Sequence, residues 1–179
     1  MTPDPKSPPE PQNRPAKPKV AVIYTRPHTV LKDIERVMHL ADYTSTLSAK
    51  VGTLLKINIS WQHYYPACST TPWQLEGVIK TLRADNYPEL IPAHNGTVVV
   101  DPIEGAVNNK HQGVEKKYGL DSVFLDFPPV KWIPFKPRAK MLVLNDIYPE
   151  GFQIPEMFIG KNIIHLPTMK THVFTTVTG

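Results

Sequence analysis

Short apolar runs alternate with amphipathic stretches along most of this chain, and this alternation is its strongest constraint on the fold. The runs 20–24, 51–59 and 162–166 have the length and composition of strands buried on both faces. Between them, apolar side chains recur at helical spacing over 30–41 and 75–82. Strands separated by helices need crossover connections, so the pattern predicts an α/β fold with a mostly parallel sheet and helices on both faces.

The clearest boundary signal begins the second helix. Thr71 is suited to the N-cap, Pro72 to the first helical position, and Gln74 to the partner position of a capping box. The remaining predicted elements are strands at 97–100, 122–127 and 141–144, a helix over 107–118 that ends at Gly119, a brief helix at 155–159, and an irregular or edge segment around the prolines between 128 and 137.

The first 19 residues differ from the rest in composition. They contain seven of the 20 prolines and no aliphatic side chain larger than alanine beyond Met1, so they are predicted to form a disordered tail before a single α/β domain over 20–179. The tail has no apolar stretch typical of a secretory signal, and no apolar run approaches the length of a membrane span. With one unpaired cysteine, Cys68, a cytoplasmic location and no membrane partner are expected.

The charge of the chain argues against a nucleic-acid partner. The net charge is +4, and residues 20–179 carry only +2 of it, without the concentrated basic stripe that duplex binding needs. Aromatic side chains close to Lys56 in the sequence are the one feature in favour of base stacking, namely Trp61, Tyr64, Tyr65 and Trp73. No nucleic-acid partner is therefore expected.

Several common catalytic motifs are missing from the sequence. It contains neither the dinucleotide-binding glycine fingerprint, nor a P-loop, nor the nucleophile elbow of hydrolases. No spacing of histidines and carboxylates predicts a metal site, and His165, inside an apolar strand, is interpreted as a hydrogen-bonded core imidazole.

A first candidate site follows the strand at 51–59. Lys56 and Asn58 project to the same face of that strand, and the helix start at Thr70-Thr71-Pro72 comes soon after. A lysine near the end of an apolar strand and a helix start with free N–H groups could together hold an anion. The alternative is that Lys56 pairs with an acidic neighbour and Thr71 only caps the helix.

A second candidate site directly follows the strand at 162–166. Lys170, Thr171 and His172 place a cation, a hydroxyl and an imidazole at consecutive positions. Lysine can bind an anion or transfer a proton, and histidine can act as a general acid–base or ligate a metal. In open parallel sheets ligands bind beyond the C-terminal ends of strands, where both loops are expected. The alternative is a polar surface turn.

Together these loops resemble the domain of unknown function 362 family. The similarity runs over about 19–179 and rests on Lys56-Ile57-Asn58, on Thr70-Thr71-Pro72, and on the segment 167–172, followed by Val177-Thr178-Gly179. Ile57 stands where the family pattern has proline. The resemblance implies an α/β fold and an association with iron–sulfur modules, although this chain holds no set of iron–sulfur ligands. It also implies that the chain is the N-terminal part of a longer protein, with a C-terminal half or a ferredoxin-like domain as partner.

Two functions are consistent with these observations, and the sequence leaves open whether the protein is an enzyme. The first is binding of an anionic small molecule or an unidentified cofactor at the strand ends, for which the family resemblance implies an iron–sulfur-linked redox context. Lys56 and Lys170 would hold the anion, Asn58, Thr70, Thr71 and Thr171 would orient it, and His172 and Lys170 would be the candidate catalytic groups. The second is a non-catalytic assembly module, suggested by Val173, Phe174 and Val177 in the final segment.

Overall fold

The computed structural model describes residues 18–65, 67–137 and 140–178, so most of the predicted disordered tail lies outside the described residues. The elements in chain order are α1 (Val30–Leu40), β1 (Thr53–Ile57), α2 (Pro72–Ala84), β2 (Leu90–His94), α3 (Pro102–Asn108), α4 (His111–Lys117), β3 (Val123–Phe124), β4 (Trp132–Phe135), α5 (Leu144–Ile147), β5 (Phe152–Pro155), β6 (Asn162–Leu166), β7 (Lys170–His172) and β8 (Thr176–Thr178). Short 3-10 helices lie at Tyr43–Ser45 and Glu156–Phe158.

Four strands form a parallel sheet in the order β3-β2-β1-β6. Their C-terminal ends therefore meet at one edge of the sheet, as predicted. Because side chains alternate along a strand, Leu55 and Ile57 face one side of the sheet while Leu54 and Lys56 face the other. The α/β class and the mostly parallel sheet are confirmed.

The helices α1 to α4 pack on the side of the sheet that carries Leu55 and Ile57. The core there includes Leu75, Ile79 and Leu82 of α2, and α1 packs onto it. The opposite side of the sheet is covered by Val130 and by Met157 and Phe158 of the 3-10 helix Glu156–Phe158. The sequence predicts helices on both faces of the sheet. The structure has α-helices on one face and the 3-10 helix Glu156–Phe158 on the other.

The start of α2 is formed as its sequence indicates. The Thr71 hydroxyl accepts from the N–H of Gln74 at 3.3 Å, and Pro72 occupies the first turn. The Gln74 side chain does not complete the capping box, because its amide donates instead to the carbonyl of Pro167 at 3.5 Å. This contact ties the helix start to the loop that follows β6.

Two strand predictions were wrong. Residues 20–24 form no strand within the described chain, and Val20, Val22 and Tyr24 are exposed. Residues 97–100 form only a bridge from Thr97 to Val100, and the strand of this region is Leu90–His94. Pro92 made this strand difficult to predict from the sequence, since proline is rare in central strands. β3 begins opposite Ala93, so Pro92 has no residue paired with it on that side of β2.

Three other boundaries also differ from the prediction. The helix expected over 107–118 is two helices, α3 and α4, separated at Lys110, whose φ is +68°. The strand expected at 141–144 is a turn that leads into α5, with Leu142 at φ +43°. The strand expected at 122–127 is shortened to Val123–Phe124, and Gly119 follows α4 at φ +60°, as expected.

Two antiparallel hairpins follow the third strand. β4 pairs with β5, and β7 pairs with β8. The first agrees with the predicted edge segment near the prolines. The second begins four residues after β6, so it stands close to the C-terminal edge of the parallel sheet and carries Lys170 there.

Candidate functional site

The candidate site is built on the last residues of two neighbouring strands. Lys56 of β1 is paired with His165 of β6, so both side chains leave the sheet on the side opposite the α-helices. Lys56 is half-buried and His165 is exposed. The interpretation of His165 as a core imidazole was wrong. His165 is exposed, and it lies on β6, which is the edge strand of the sheet.

The Lys56 ammonium lacks a strong anionic partner. It donates to the carbonyl of Ile57 at 2.9 Å, and it forms no ion pair with any carboxylate in the described residues. Burial lowers the pKa of Lys56, and the charge of Asp126 opposes that shift. A half-buried cation with one neutral acceptor retains unused hydrogen-bonding capacity, because an ammonium has three donors.

Asn58 presents its amide beside Lys56. The hydroxyl of Ser60 donates to Asn58 Oδ1 at 2.9 Å, so the oxygen is engaged and the NH2 group remains available as a donor. The backbone at this point is tied to the start of α2, since the N–H of Asn58 donates to Thr70 Oγ1 at 2.9 Å.

Lys170 reaches the same place from the first residue of β7. Its ammonium donates to the carbonyl of Thr168 at 3.3 Å, and the Thr168 hydroxyl donates to the carbonyl of Ser69 at 2.8 Å. Lys170 also forms no ion pair with a carboxylate in the part of the chain described. A cavity of about 160 Å³ is lined by Lys56, Ile57, Asn58, His165, Pro167, Lys170 and Thr178.

Thr70 lies beneath this cavity and joins its walls. Its N–H donates to the carbonyl of Asn58 at 2.9 Å, and its hydroxyl accepts from Asn58 and donates to the carbonyl of Leu166. Thr70 is 1% exposed. It therefore connects the ends of β1 and β6 and does not line the cavity.

The other predicted site residues lie apart from the cavity. Thr71 caps α2, and Thr171 and His172 are exposed on β7. The N–H groups of Phe174 and Thr175 donate to His172 Nδ1 at 3.2 and 3.3 Å, so the imidazole faces its own hairpin turn. Of the seven residues predicted for the site, the cavity lining brings together Lys56, Asn58 and Lys170.

A buried polar cluster supports the site from the side of the helices. His111 Nε2 donates to the carbonyl of Thr70 at 2.6 Å, and burial lowers the pKa of His111. His94 lies 2.7 Å from Glu115, and both are fully buried. Burial raises the pKa of Glu115, but the hydrogen bond and charge of His94 and the hydroxyl of Ser122 bring it below its ordinary value.

Larger cavities border other parts of the described chain, and one of them lies beside the end of β3. One of about 690 Å³ is bordered by Phe124, Phe127 and Met157, and one of about 660 Å³ lies between the start of α1 and Trp73. Both are larger and more apolar than the cavity at Lys56. The small cavity is the better candidate because it joins two lysines that have no carboxylate partner in the part of the chain described, at the edge where open parallel sheets bind ligands.

Sequence reasoning missed His165 and Asp126 as neighbours of the site. A signal for His165 was present, because Lys56-Ile57 and His165-Leu166 are both a polar residue followed by an apolar one at a strand end. Parallel strands aligned on that pattern place the two polar side chains side by side. No comparable pattern indicates Asp126, whose carboxylate accepts from the N–H of Gly96 at 2.6 Å.

Within the described residues there is neither a group of metal ligands nor a helix that could span a membrane. Among residues 18–65, 67–137 and 140–178, no three histidine, cysteine, aspartate or glutamate side chains are grouped to hold a metal ion. No helix in that part of the chain has the length and apolar character needed to cross a membrane.

Comparison with known proteins identifies a family of unestablished activity. The model of a domain of unknown function, DUF362, matches residues 53–179, which is more than two-thirds of the chain and includes every residue that lines the cavity. The match starts at the first residue of β1, so α1 lies outside it. No curated protein and no solved structure matches the chain.

Proposed function

The chain belongs to the DUF362 family, and we propose that it binds a small anionic ligand between Lys56 and Lys170 at the C-terminal edge of its sheet. One observation carries the proposal: two lysines that form no ion pair with a carboxylate of the described residues line a single small cavity. Asn58 adds an amide donor, and His165 stands beside Lys56. An anion would supply the acceptors that these donors lack.

Titration of the full chain with inorganic phosphate, sulfate and malonate tests this proposal by calorimetry. Each of Lys56→Ala and Lys170→Ala is expected to weaken binding about tenfold or more, since each removes a charge-assisted hydrogen bond. Lys50→Ala is the matched control, because Lys50 is exposed and lies outside the cavity. The proposal fails if none of the three anions binds, or if all three variants bind them like the original protein.

The family resemblance also implies a redox role linked to an iron–sulfur cluster. The residues of this chain do not fit a cluster, because Cys68 is its one cysteine and a cluster is commonly held by four thiolates. Such a role would need cysteines from another domain or chain, and no redox step is assigned to the residues described here.

A second candidate function is assembly with another domain or chain. Val173 and Phe174 at the tip of the β7–β8 hairpin are 87% and 88% exposed, and Val177 is also exposed. β6, the strand that precedes this hairpin, has an outer edge that is unpaired within the described chain. Exposed apolar side chains and an open strand edge are both typical of surfaces that another segment covers.

Light scattering and limited proteolysis of the full chain test the assembly function. Replacing Val173 and Phe174 with serine is expected to abolish self-association or protease protection of the hairpin if the surface is used in that way. A monomer whose hairpin resists proteases as well after the double substitution as before it contradicts this function. The anion titration does not depend on this result.

A further inference from the structure

The donors around the cavity exceed what one carboxylate can accept. Lys56 and Lys170 each use one of three N–H groups on a backbone carbonyl, which leaves two on each ammonium. The amide of Asn58 keeps two more N–H groups, since its oxygen is the atom bonded to Ser60. An ionised carboxylate offers two oxygens with about four acceptor sites. A ligand with three terminal oxygens matches these donors better.

The charges point the same way. Lys56 and Lys170 both line the cavity, and Asp126, whose charge acts on Lys56, lies outside the lining with an oxygen already bonded to Gly96. Lysines act as point charges, which suits the dianionic phosphate group.

The size of the cavity limits the bound group. A volume of about 160 Å³ is below the roughly 300 to 1,000 Å³ of pockets that enclose a whole drug-sized ligand. The cavity therefore accommodates one anionic group and leaves the remainder of a larger ligand outside. The imidazole of His165 is exposed at the same face, where it can contact the group from the side of β6.

We infer that the ligand group held by Lys56, Lys170 and Asn58 is the dianionic phosphate of a phosphomonoester. This inference rests on the proposed anion-binding function and specifies its ligand class. A phosphomonoester carries a charge of about −1.5 to −2 at neutral pH and three strong acceptor oxygens. Its charge matches the two ammonium groups, and its oxygens provide an acceptor for each of the three side chains.

Calorimetry on the full chain with methyl phosphate, sulfate and malonate tests the ligand class. At about pH 7.5 methyl phosphate is expected to bind about tenfold more tightly than malonate, which has the charge but not the tetrahedral oxygens. Between pH 7.5 and 5, methyl phosphate is expected to lose affinity about tenfold, since its second ionisation lies near pH 6.

Sulfate is the internal control, because its charge is constant over this range. Any change in sulfate affinity reports the titratable groups that line the cavity, namely Lys56, Lys170 and His165, and Asp126, whose charge acts on Lys56. The loss of affinity for methyl phosphate, after subtraction of any loss for sulfate, therefore measures the effect of the charge on the ligand.

The outcomes separate the two proposals. If malonate binds as tightly as methyl phosphate, and Lys56→Ala weakens both, the phosphomonoester inference is overturned while anion binding stands. If methyl phosphate and sulfate weaken equally between pH 7.5 and 5, selection of the dianion is overturned. If no anion binds, both proposals are overturned.

Discussion

Lys56 and His165 are paired across two parallel strands, and their side chains emerge on the same face at the end where the strands finish. Both strands continue with one buried apolar residue, Ile57 and Leu166, that anchors the strand end in the core. The arrangement holds a cation and an imidazole at the spacing of neighbouring strands. The anion site therefore draws on the register of the sheet as well as on its loops.

This pairing predicts a role for His165 in anion binding. His165→Ala is expected to weaken sulfate binding severalfold, less than the roughly tenfold effect of each lysine, because the imidazole is exposed and more fully solvated. Calorimetry with sulfate measures the change. His63→Ala is the control, since His63 is also exposed and does not line the cavity. Equal affinities of the two variants would remove His165 from the site.

Thr70 predicts a second, structural contribution to binding. Thr70→Val removes the acceptor of the Asn58 N–H and the donor to the Leu166 carbonyl, and each buried unsatisfied group costs about 1–3 kcal/mol. Both the free energy of unfolding and the sulfate affinity are expected to fall. Urea denaturation and calorimetry measure the two effects.

Thr70→Ser is the matched control, because it keeps the hydroxyl and loses only a methyl group. It is expected to retain sulfate binding and to lose about 1 kcal/mol of stability. If the valine and serine variants bind sulfate equally, the hydroxyl does not organise the site.

Much of this architecture could be predicted from the sequence, for local reasons. β6 is a short apolar run, and α2 has both an apolar stripe and a Thr-Pro start, so local pattern and final structure agree. The strand at 20–24 was wrong because an apolar run forms a strand only where another strand pairs with it. β2 was missed because Pro92 hides a strand whose pairing partners are distant in sequence.

The candidate site divides in the same way. Lys56, Asn58 and Lys170 follow from the general rule that ligands bind at strand ends, and the cavity includes all three. The role of Thr70 depends on hydrogen bonds to Asn58 and to Leu166, 96 residues away, which no local pattern reveals. The direction of His172 is determined by the hairpin turn at Phe174 and Thr175.

His111 predicts that the protein loses stability in mild acid. Burial lowers the pKa of His111 below its ordinary 6.5 in the folded state, so the unfolded chain binds more protons at this position as the pH falls below 6.5. The contribution of His111 is therefore fully present above pH 6.5 and is lost as the pH falls toward its folded pKa. The charged or titratable groups that act on it are His94 and Glu115.

Urea denaturation of the original protein and of His111→Gln across this pH range measures the effect. Glutamine can donate to the Thr70 carbonyl but does not titrate, so the variant is expected to show a shallower fall in the free energy of unfolding. The slope is informative even if the variant is less stable at every pH. Parallel slopes for the two proteins would assign the acid sensitivity to other groups.

Alanine substitutions at two helical glycines are expected to have opposite effects, because Gly77 of α2 lies against α1 and Gly113 of α4 faces open space. A Cβ at Gly77 would lie 2.6 Å from Cδ1 of Ile34 and 2.8 Å from its Cβ. Rotation of the Ile34 side chain moves Cδ1 but not Cβ, so α1 must shift. Overpacking costs about 1–3 kcal/mol, which exceeds the gain of up to about 1 kcal/mol when alanine replaces glycine in a helix.

Gly77→Ala is therefore expected to lower the free energy of unfolding by about 1 kcal/mol. Gly113→Ala is the matched control, because Gly113 is exposed in α4 and a Cβ there meets no atom within 4 Å. It is expected to raise the free energy of unfolding by about 0.5–1 kcal/mol, since only helix propensity changes. Urea denaturation measures both, and a gain for Gly77→Ala equal to that for Gly113→Ala would mean that α1 is not held closely against α2.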